Sequence, residues 1–246
     1  SGLSNDRETI PYQLFEKFNE KYDNVEVINA GISSITSFEE LYIIENILVN
    51  LKPDMIIVYD GVNDIGYKRI NEPEIQTSSD DISLKNFQKY LRSPVVLYRY
   101  ILLPMYNYEF TDSSDRTNQD SRFDEETSKI ISSLWGERMN EFCKISNKYE
   151  FESVVIIQPA LYYGNKPLSD YEKSILIPNT FGAKTFEKMI NESKTFNNCS
   201  LTLNFSNIFE NTSQGVYIDQ VHINPYGHKI IAEEIYQKIL PLVIKN

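Results

Sequence analysis

Apolar residues recur along this chain with two periods. Over residues 9–22, Leu14, Phe15, Phe18 and Tyr22 fall three or four positions apart, with Pro11 in the first turn, and this spacing predicts an amphipathic helix. Over 25–28 and 55–59 the apolar runs are short, rich in Val and Ile, and end in glycine turns, which predicts two strands. Between them, Ser37-Phe-Glu-Glu40 reads as a capping box opening a second helix, with Leu41, Ile44, Ile47 and Leu48 inward and Lys52-Pro53 at its end. Downstream, a helix is expected over 124–149 with Ile130, Ile131, Leu134 and Phe142 on its buried face. A strand over 153–157, a helix over 181–193 and a strand over 201–205 follow. Asn224 caps the last helix, Pro225 takes its first position, and Ile230, Ile231, Ile235 and Ile239 face inward. Strands alternating with helices predict an α/β fold: a three-layer α/β/α sandwich around a parallel sheet.

The order of these elements raises a topological problem. In a right-handed, doubly wound sheet of flavodoxin-like order, the first strand lies between the second and third. This sequence opens on a helix that leads into a strand. The expectation is therefore that a strand preceding Ser1 belongs in a slot between 25–28 and 55–59. Otherwise the chain reads as one domain over 1–246, with an insertion over about 66–150 covering the site. Within it, Tyr98, Tyr100, Tyr106 and Tyr108 either line a substrate groove or pack the insertion onto the domain.

Composition narrows the function classes. The chain has 246 residues, enough for one α/β domain with a full core. Its 24 basic and 35 acidic residues give a net charge of −11, which argues against a nucleic-acid surface and against an anionic membrane surface. The longest apolar run, 94–106, is too short to span a bilayer and contains Arg99. Position 1 is Ser and no signal peptide is visible, so the compartment stays open between cytoplasm and cell envelope. Cys143 and Cys199 lack metal-ligand spacing; Cys143 reads as a small core residue, and a disulfide is possible. No dinucleotide, Walker or zinc-protease motif is present, so no cofactor and no metal are indicated. Asp60 and Asp64 could be read as a metal pair, but loop capping is the commoner role.

Three segments carry candidate chemistry. Tyr217-Ile-Asp-Gln-Val-His-Ile-Asn-Pro225 sets Asp219 three residues before His222, next to a helix start. A carboxylate bonded to one ring nitrogen fixes the imidazole tautomer and leaves the other nitrogen free to take a proton. The spacing alone also fits a surface His beside a coincidental Asp. Val25-Glu-Val-Ile-Asn-Ala-Gly31 and Met55-Ile-Ile-Val-Tyr-Asp-Gly61-Val-Asn63-Asp64 each run from a strand into a glycine turn. A backbone N–H and an Asn amide at such strand ends, aimed at one point, make an oxyanion hole.

The order Gly31, Gly61-x-Asn63-Asp64, Asp219-x-x-His222 resembles the SGNH (GDSL-type) hydrolases, and the resemblance covers nearly the whole chain. It implies a flavodoxin-like SGNH fold and a serine-dependent ester hydrolase with no cofactor. By the same resemblance His222 is the base, Asp219 its orienter, and Gly31 and Asn63 the oxyanion donors. The nucleophile is the departure: the Gly-x-Ser turn of the family is missing, and the serine is expected upstream of Ser1. Ser33 and Ser34 are read as turn residues, because the resemblance gives their turn to the oxyanion hole. The expected substrate is a small-molecule or carbohydrate ester, with acetyl or another short acyl group preferred. An O-acyltransferase using the same site and a non-catalytic binding domain are the alternatives. Tyr162, Tyr163 and Lys166 are possible substrate contacts. Oligomeric state is left open.

Overall fold

The computed structural model of the chain describes residues 6–33, 35–65 and 125–244. The chain divides into two compact units, one of residues 1–65 with 125–246 and one of 66–124. The second unit lies outside the described residues, and so do Tyr98, Tyr100, Tyr106, Tyr108 and Ser34.

In the first unit, helix α1 (Ile10–Asn19) is capped by Thr9, whose side chain accepts the Tyr12 N–H, and has proline in its first turn. Helix α2 (Ser37–Asn46) starts one residue earlier than the sequence pattern suggests, because its capping box is Thr36 with Glu39: the Thr36 N–H and hydroxyl both donate to Glu39 Oε2, at 2.6 and 2.5 Å. Strand β1 (Met55–Asp60), helix α3 (Glu125–Tyr149) and strand β2 (Glu152–Ile157) follow. Then come helices α4 (Asp170–Ile175) and α5 (Thr180–Ser193), strand β3 (Leu201–Asn204) and helix α6 (Pro225–Val243). Asn224 caps α6 by accepting the Gly227 N–H at 2.9 Å, with Pro225 at the first helical position, as its sequence predicts.

The three strands form one parallel sheet in the order β1-β2-β3. Successive side chains of a strand point to opposite faces, so a central strand of a covered sheet is apolar throughout. β2 meets that demand, with Val154, Val155, Ile156 and Ile157 all fully buried. On one face, Val154 and Ile156 join a core with Leu14 and Phe18 of α1 and Ile231, Ile235 and Ile239 of α6. The Phe18 and Tyr236 rings meet there edge to face at 4.9 Å. On the other face α3 packs against α2, α5 and β2, and burying its Trp135, Met139 and Phe142 contributes roughly 1.5–3 kcal/mol per side chain.

Two expectations are corrected here. The inner face of α3 runs through Ser128, Ile131, Ser132, Trp135, Met139, Phe142, Cys143 and Ser146. Ile130 and Leu134 sit outside it, 42 % and 39 % exposed. Small serines take the inner positions because their hydroxyls find partners: Thr185 Oγ1 donates to Ser128 Oγ at 3.0 Å, and Ser146 Oγ donates to Ser153 Oγ at 2.9 Å. A purely apolar count misses such positions. Residues 25–28 form no strand and join no ladder among the described residues, and Ile28 is 59 % exposed. Their strand character is not realised, since a strand is stabilised by its neighbours and none is paired with it among the described residues.

Cys143 and Cys199 form a disulfide, with Cα atoms 4.8 Å apart, that ties α3 to the turn before β3. Closing a loop of this length restricts the unfolded chain, and losing such a bond costs about 2–5 kcal/mol. A Cys143→Ser/Cys199→Ser variant is expected to lose that much in urea unfolding and to match the reduced wild-type chain. Equal midpoints for oxidised wild type and variant would count against the bond.

Candidate active site

β1 and β2 run in register from Met55↔Glu152 to Asp60↔Ile157, so their carboxyl ends reach the same rim of the sheet. The turn Gly61-Val-Asn63-Asp64 leaves β1 there, and residues 158–161 leave β2. Gly61 has φ +126°, a backbone conformation that L side chains rarely adopt, which accounts for glycine at this turn.

The Asp219/His222 loop attaches to the same rim, because the Leu161 N–H donates to Gln220 O at 2.9 Å. Tyr217 and Ile223 form an isolated antiparallel bridge, the Ile218 N–H donates to His222 O, and the Asn224 N–H donates to Val216 O. Close packing of α6 against this hairpin needs Gly227: a Cβ there would lie 2.1 Å from Ile223 Cγ2.

Within the loop, Asp219 is the acceptor for three groups. Its Oδ1 takes the Val221 and His222 N–H groups at 2.9 and 2.8 Å, and its Oδ2 lies 2.7 Å from His222 Nδ1. Burial alone would push the Asp219 carboxyl up; the two backbone N–H groups and the imidazole outweigh it and hold the carboxyl below its ordinary value. A carboxylate acceptor at Nδ1 selects the tautomer with the proton on Nδ1 and leaves Nε2 free to accept another. The pairing expected from the Asp-x-x-His spacing is therefore present. His228 is placed differently: its Nδ1 lies 2.8 Å from Glu8 O, and burial lowers its pKa.

The two candidate oxyanion donors are placed by their neighbours. Asn63 Nδ2 donates to Ile35 O at 2.8 Å, which ties the β1 turn to the segment following Gly31. The Gly31 N–H donates to Asn29 Oδ1 at 3.1 Å. A second tie comes from Asp64, which accepts the Ser37 N–H (2.9 Å), the Ser37 hydroxyl (2.5 Å) and Arg138 Nη1 (3.3 Å). Asp64 thus caps the start of α2 from outside the helix, where a negative charge is favoured. Loop capping is what this Asp does, and no group of three His, Cys, Asp or Glu side chains among the described residues is arranged to hold a metal.

Two other acids near this turn are charged only at a cost. Asp60 is buried and accepts a hydrogen bond from Trp135 Nε1 at 3.2 Å. Burial pushes its carboxyl well above its ordinary value, helped by the charges of Glu40 and Asp64. Burial, then Asp64 and Glu39, push the Glu40 carboxyl up to about 8. Glu40 Oε2 is buried and has no hydrogen-bond partner among the described residues. The sequence shows these acids but not their burial, which depends on α3 arriving from far along the chain.

The proposed substrate contacts on the loop after β2 have other partners. Tyr163 stacks on Phe186 at 5.6 Å and Tyr162 tilts against the same ring at 6.0 Å. Lys166 is nearly buried and ion-paired with Glu172 at 2.7 Å, so it is not a surface contact for a ligand.

A model of the family "GDSL-like Lipase/Acylhydrolase" matches residues 5–235. No curated protein sequence matches the chain. Solved structures that are similar include an acetyl xylan esterase, AlAXEase, at TM-score 0.55 and 15 % identity over 95 % of this chain and 91 % of that one. A catalytic mutant of Axe2, an acetylxylan esterase from Geobacillus stearothermophilus, with alanine in place of a serine, aligns at TM-score 0.53 and 13 % identity over 94 % and 80 %. LAE5, an α/β hydrolase enzyme from the metagenome of Lake Arreo, Spain, aligns at TM-score 0.51 and 15 % identity over 96 % and 83 %. At these identities the likeness is one of fold.

The raised Glu40 carboxyl has a consequence for stability. Between its ordinary value of 4.5 and about 8 the folded chain holds a proton that the unfolded chain releases, so this group's contribution to stability falls as pH rises through that window. Asp60 acts in the same direction. Glu40→Gln is expected to flatten the dependence and to gain on the wild type as pH rises. Urea midpoints at pH 5 and pH 8 test this; a constant difference between the two proteins would show that Glu40 does not titrate in the window.

Proposed function

We propose that this chain, which belongs to the GDSL-like lipase/acylhydrolase family, is a serine-dependent ester hydrolase that removes acetyl or other short acyl groups from carbohydrate. The observation that carries the reading is the Asp219–His222 pair, set with its Nδ1 side engaged at 2.7 Å, on a chain matched by an acylhydrolase family almost end to end. The carbohydrate ester is favoured by the fold likeness to two acetylxylan esterases.

In this reading His222 Nε2 takes the proton of a serine hydroxyl as its oxygen attacks the acyl carbon. The carbonyl oxygen becomes an oxyanion, held by the Gly31 N–H and the Asn63 amide. Asn63 has two N–H groups; among the described residues the bond to Ile35 O uses one, and in this reading the other serves the oxyanion. The Gly31 N–H serves once the acyl oxygen takes the place of Asn29 Oδ1. The intermediate collapses, the leaving alcohol takes the proton from His222, and water repeats the sequence on the acyl-enzyme. Asp219 stabilises the transient imidazolium and fixes its orientation.

This reading assigns the nucleophile to no serine among the described residues. Among the described strands β1 pairs only with β2, and residues 25–28 join no ladder. The protein is expected to hydrolyse p-nitrophenyl acetate and acetylated xylo-oligosaccharide. Asn63→Ala should cost about 10²–10³ in kcat, and His222→Ala should cost at least as much. Unchanged turnover in His222→Ala would overturn the mechanism. Activity that vanishes on Ser33→Ala or Ser34→Ala would make that serine the nucleophile.

A further inference from the structure

Asp219 and His222 have little burial of their own; their side chains are 53 % and 74 % exposed. A base in so open a position needs its orientation from elsewhere. The residues around it are held by the segment 161–177. Glu172 of α4 is the centre of that arrangement. Its carboxylate has no exposed surface and accepts four hydrogen bonds. Oε1 takes the N–H groups of Val216 and Tyr217 at 2.9 and 3.1 Å, and Oε2 takes Lys166 Nζ at 2.7 Å and the Ser169 N–H at 2.9 Å. Lys166 Nζ also donates to Pro167 O, so the cation is held within the same turn.

Further bonds reach the loop itself. The Tyr171 hydroxyl donates to Ile218 O at 2.9 Å, directly before Asp219. Gln220, directly after it, donates from Nε2 to Ile175 O at 2.5 Å and accepts the Ile177 N–H at 3.1 Å. The residues on both sides of Asp219 are therefore fixed to α4 and its end, while Asp219 itself is left to the imidazole and its own turn.

A buried ion pair is a poor way to gain stability, since desolvation offsets its attraction and an apolar pair of like volume does as well. What such a pair supplies is geometry: a carboxylate with every lone pair committed allows one arrangement of its donors. We infer that Glu172 and Lys166 are positioning residues, a buried hub that, with Tyr171 and Gln220, sets the backbone of residues 216–220 so that Asp219 meets His222 Nδ1. The inference rests on the base assignment proposed for His222. The hub keeps its charge under ordinary conditions: burial pushes Glu172 up, but Lys166 and the three backbone N–H groups outweigh it and bring it down to about 2. Its contribution is thus complete above the ordinary value of 4.5 and is lost only as pH falls from there toward 2.

The chain has two histidines, which gives a direct test. Long-range ¹H–¹⁵N spectra of the ¹⁵N-histidine-labelled protein, with His228→Gln for assignment, report the tautomer of each ring. His228, bonded to Glu8 O, serves as the internal control for folding. In the wild type His222 is expected as a single, exchange-protected Nδ1–H tautomer. In Glu172→Gln, and in the surface double variant Tyr171→Phe/Gln220→Leu, that protected signal should be lost in favour of the mixed tautomers of free imidazole, with His228 unchanged. Lys166→Arg, which keeps a cation, should retain the His222 signal better than Lys166→Met. In the active enzyme the same variants should lower kcat on the order of 10–100-fold with KM little changed, as expected when a base is misplaced. If Glu172→Gln does not fold, the His228 signal is lost too, and the surface double variant decides. A His222 signal unchanged in every folded variant would make the hub a plain structural element and overturn the inference. A wild-type His222 already in mixed tautomers would instead overturn the base assignment itself, and this inference with it.

Discussion

The rim of the sheet depends on the pairing of β1 with β2. Their register, Met55↔Glu152 through Asp60↔Ile157, brings two chain segments far apart in sequence to a common edge. From β1 comes the Gly61–Asp64 turn; from β2 comes the 158–161 loop, to which Gln220 is bonded. A slip of one residue would turn Ile56, Val58 and Asp60 to the opposite face and separate Asp60 from Trp135. The alternation of β1 therefore serves packing and placement together: the side that buries Ile56 and Val58 in the α3 layer carries Asp60 into the same layer.

Two buried acid sites near this rim are resolved in opposite ways. Glu172 meets four donors and holds its charge; Glu40 and Asp60 meet other carboxylates and are driven toward the neutral form. Burial acts on all three in the same direction, so the difference lies in Lys166 and in the donors the backbone offers. Around Glu172 these are the N–H groups of Ser169, Val216 and Tyr217, left unpaired by a helix start and a loop. Around Asp64 they are the start of α2 and Arg138.

What the sequence makes legible is what local chemistry decides. The caps of α1 and α6, the apolar run of β2 and the Asp219–His222 pair each depend on residues within a few positions of one another. Distant partners were not readable. Ser128 and Ser146 fill the inner face of α3 only because Thr185 and Ser153 stand opposite them. Lys166 looks like a surface contact until Glu172 is seen beside it, and residues 25–28 look like a strand until a ladder is sought. The Ser169–Glu172 capping box was a local signal for α4, but nothing local shows that the same carboxylate also reaches Val216 and Tyr217.

The disulfide joins residues 56 positions apart, and the closed ring it makes contains β2, α4 and α5. The Lys166–Glu172 pair lies inside that ring, whereas the loop it orients lies outside it. A single peptide-bond cut anywhere between Cys143 and Cys199 therefore releases no fragment: the two pieces stay one covalent molecule until the disulfide is reduced. Proteolysis in the long connection after β2 would leave the mass of the unreduced chain nearly unchanged, greater only by one water.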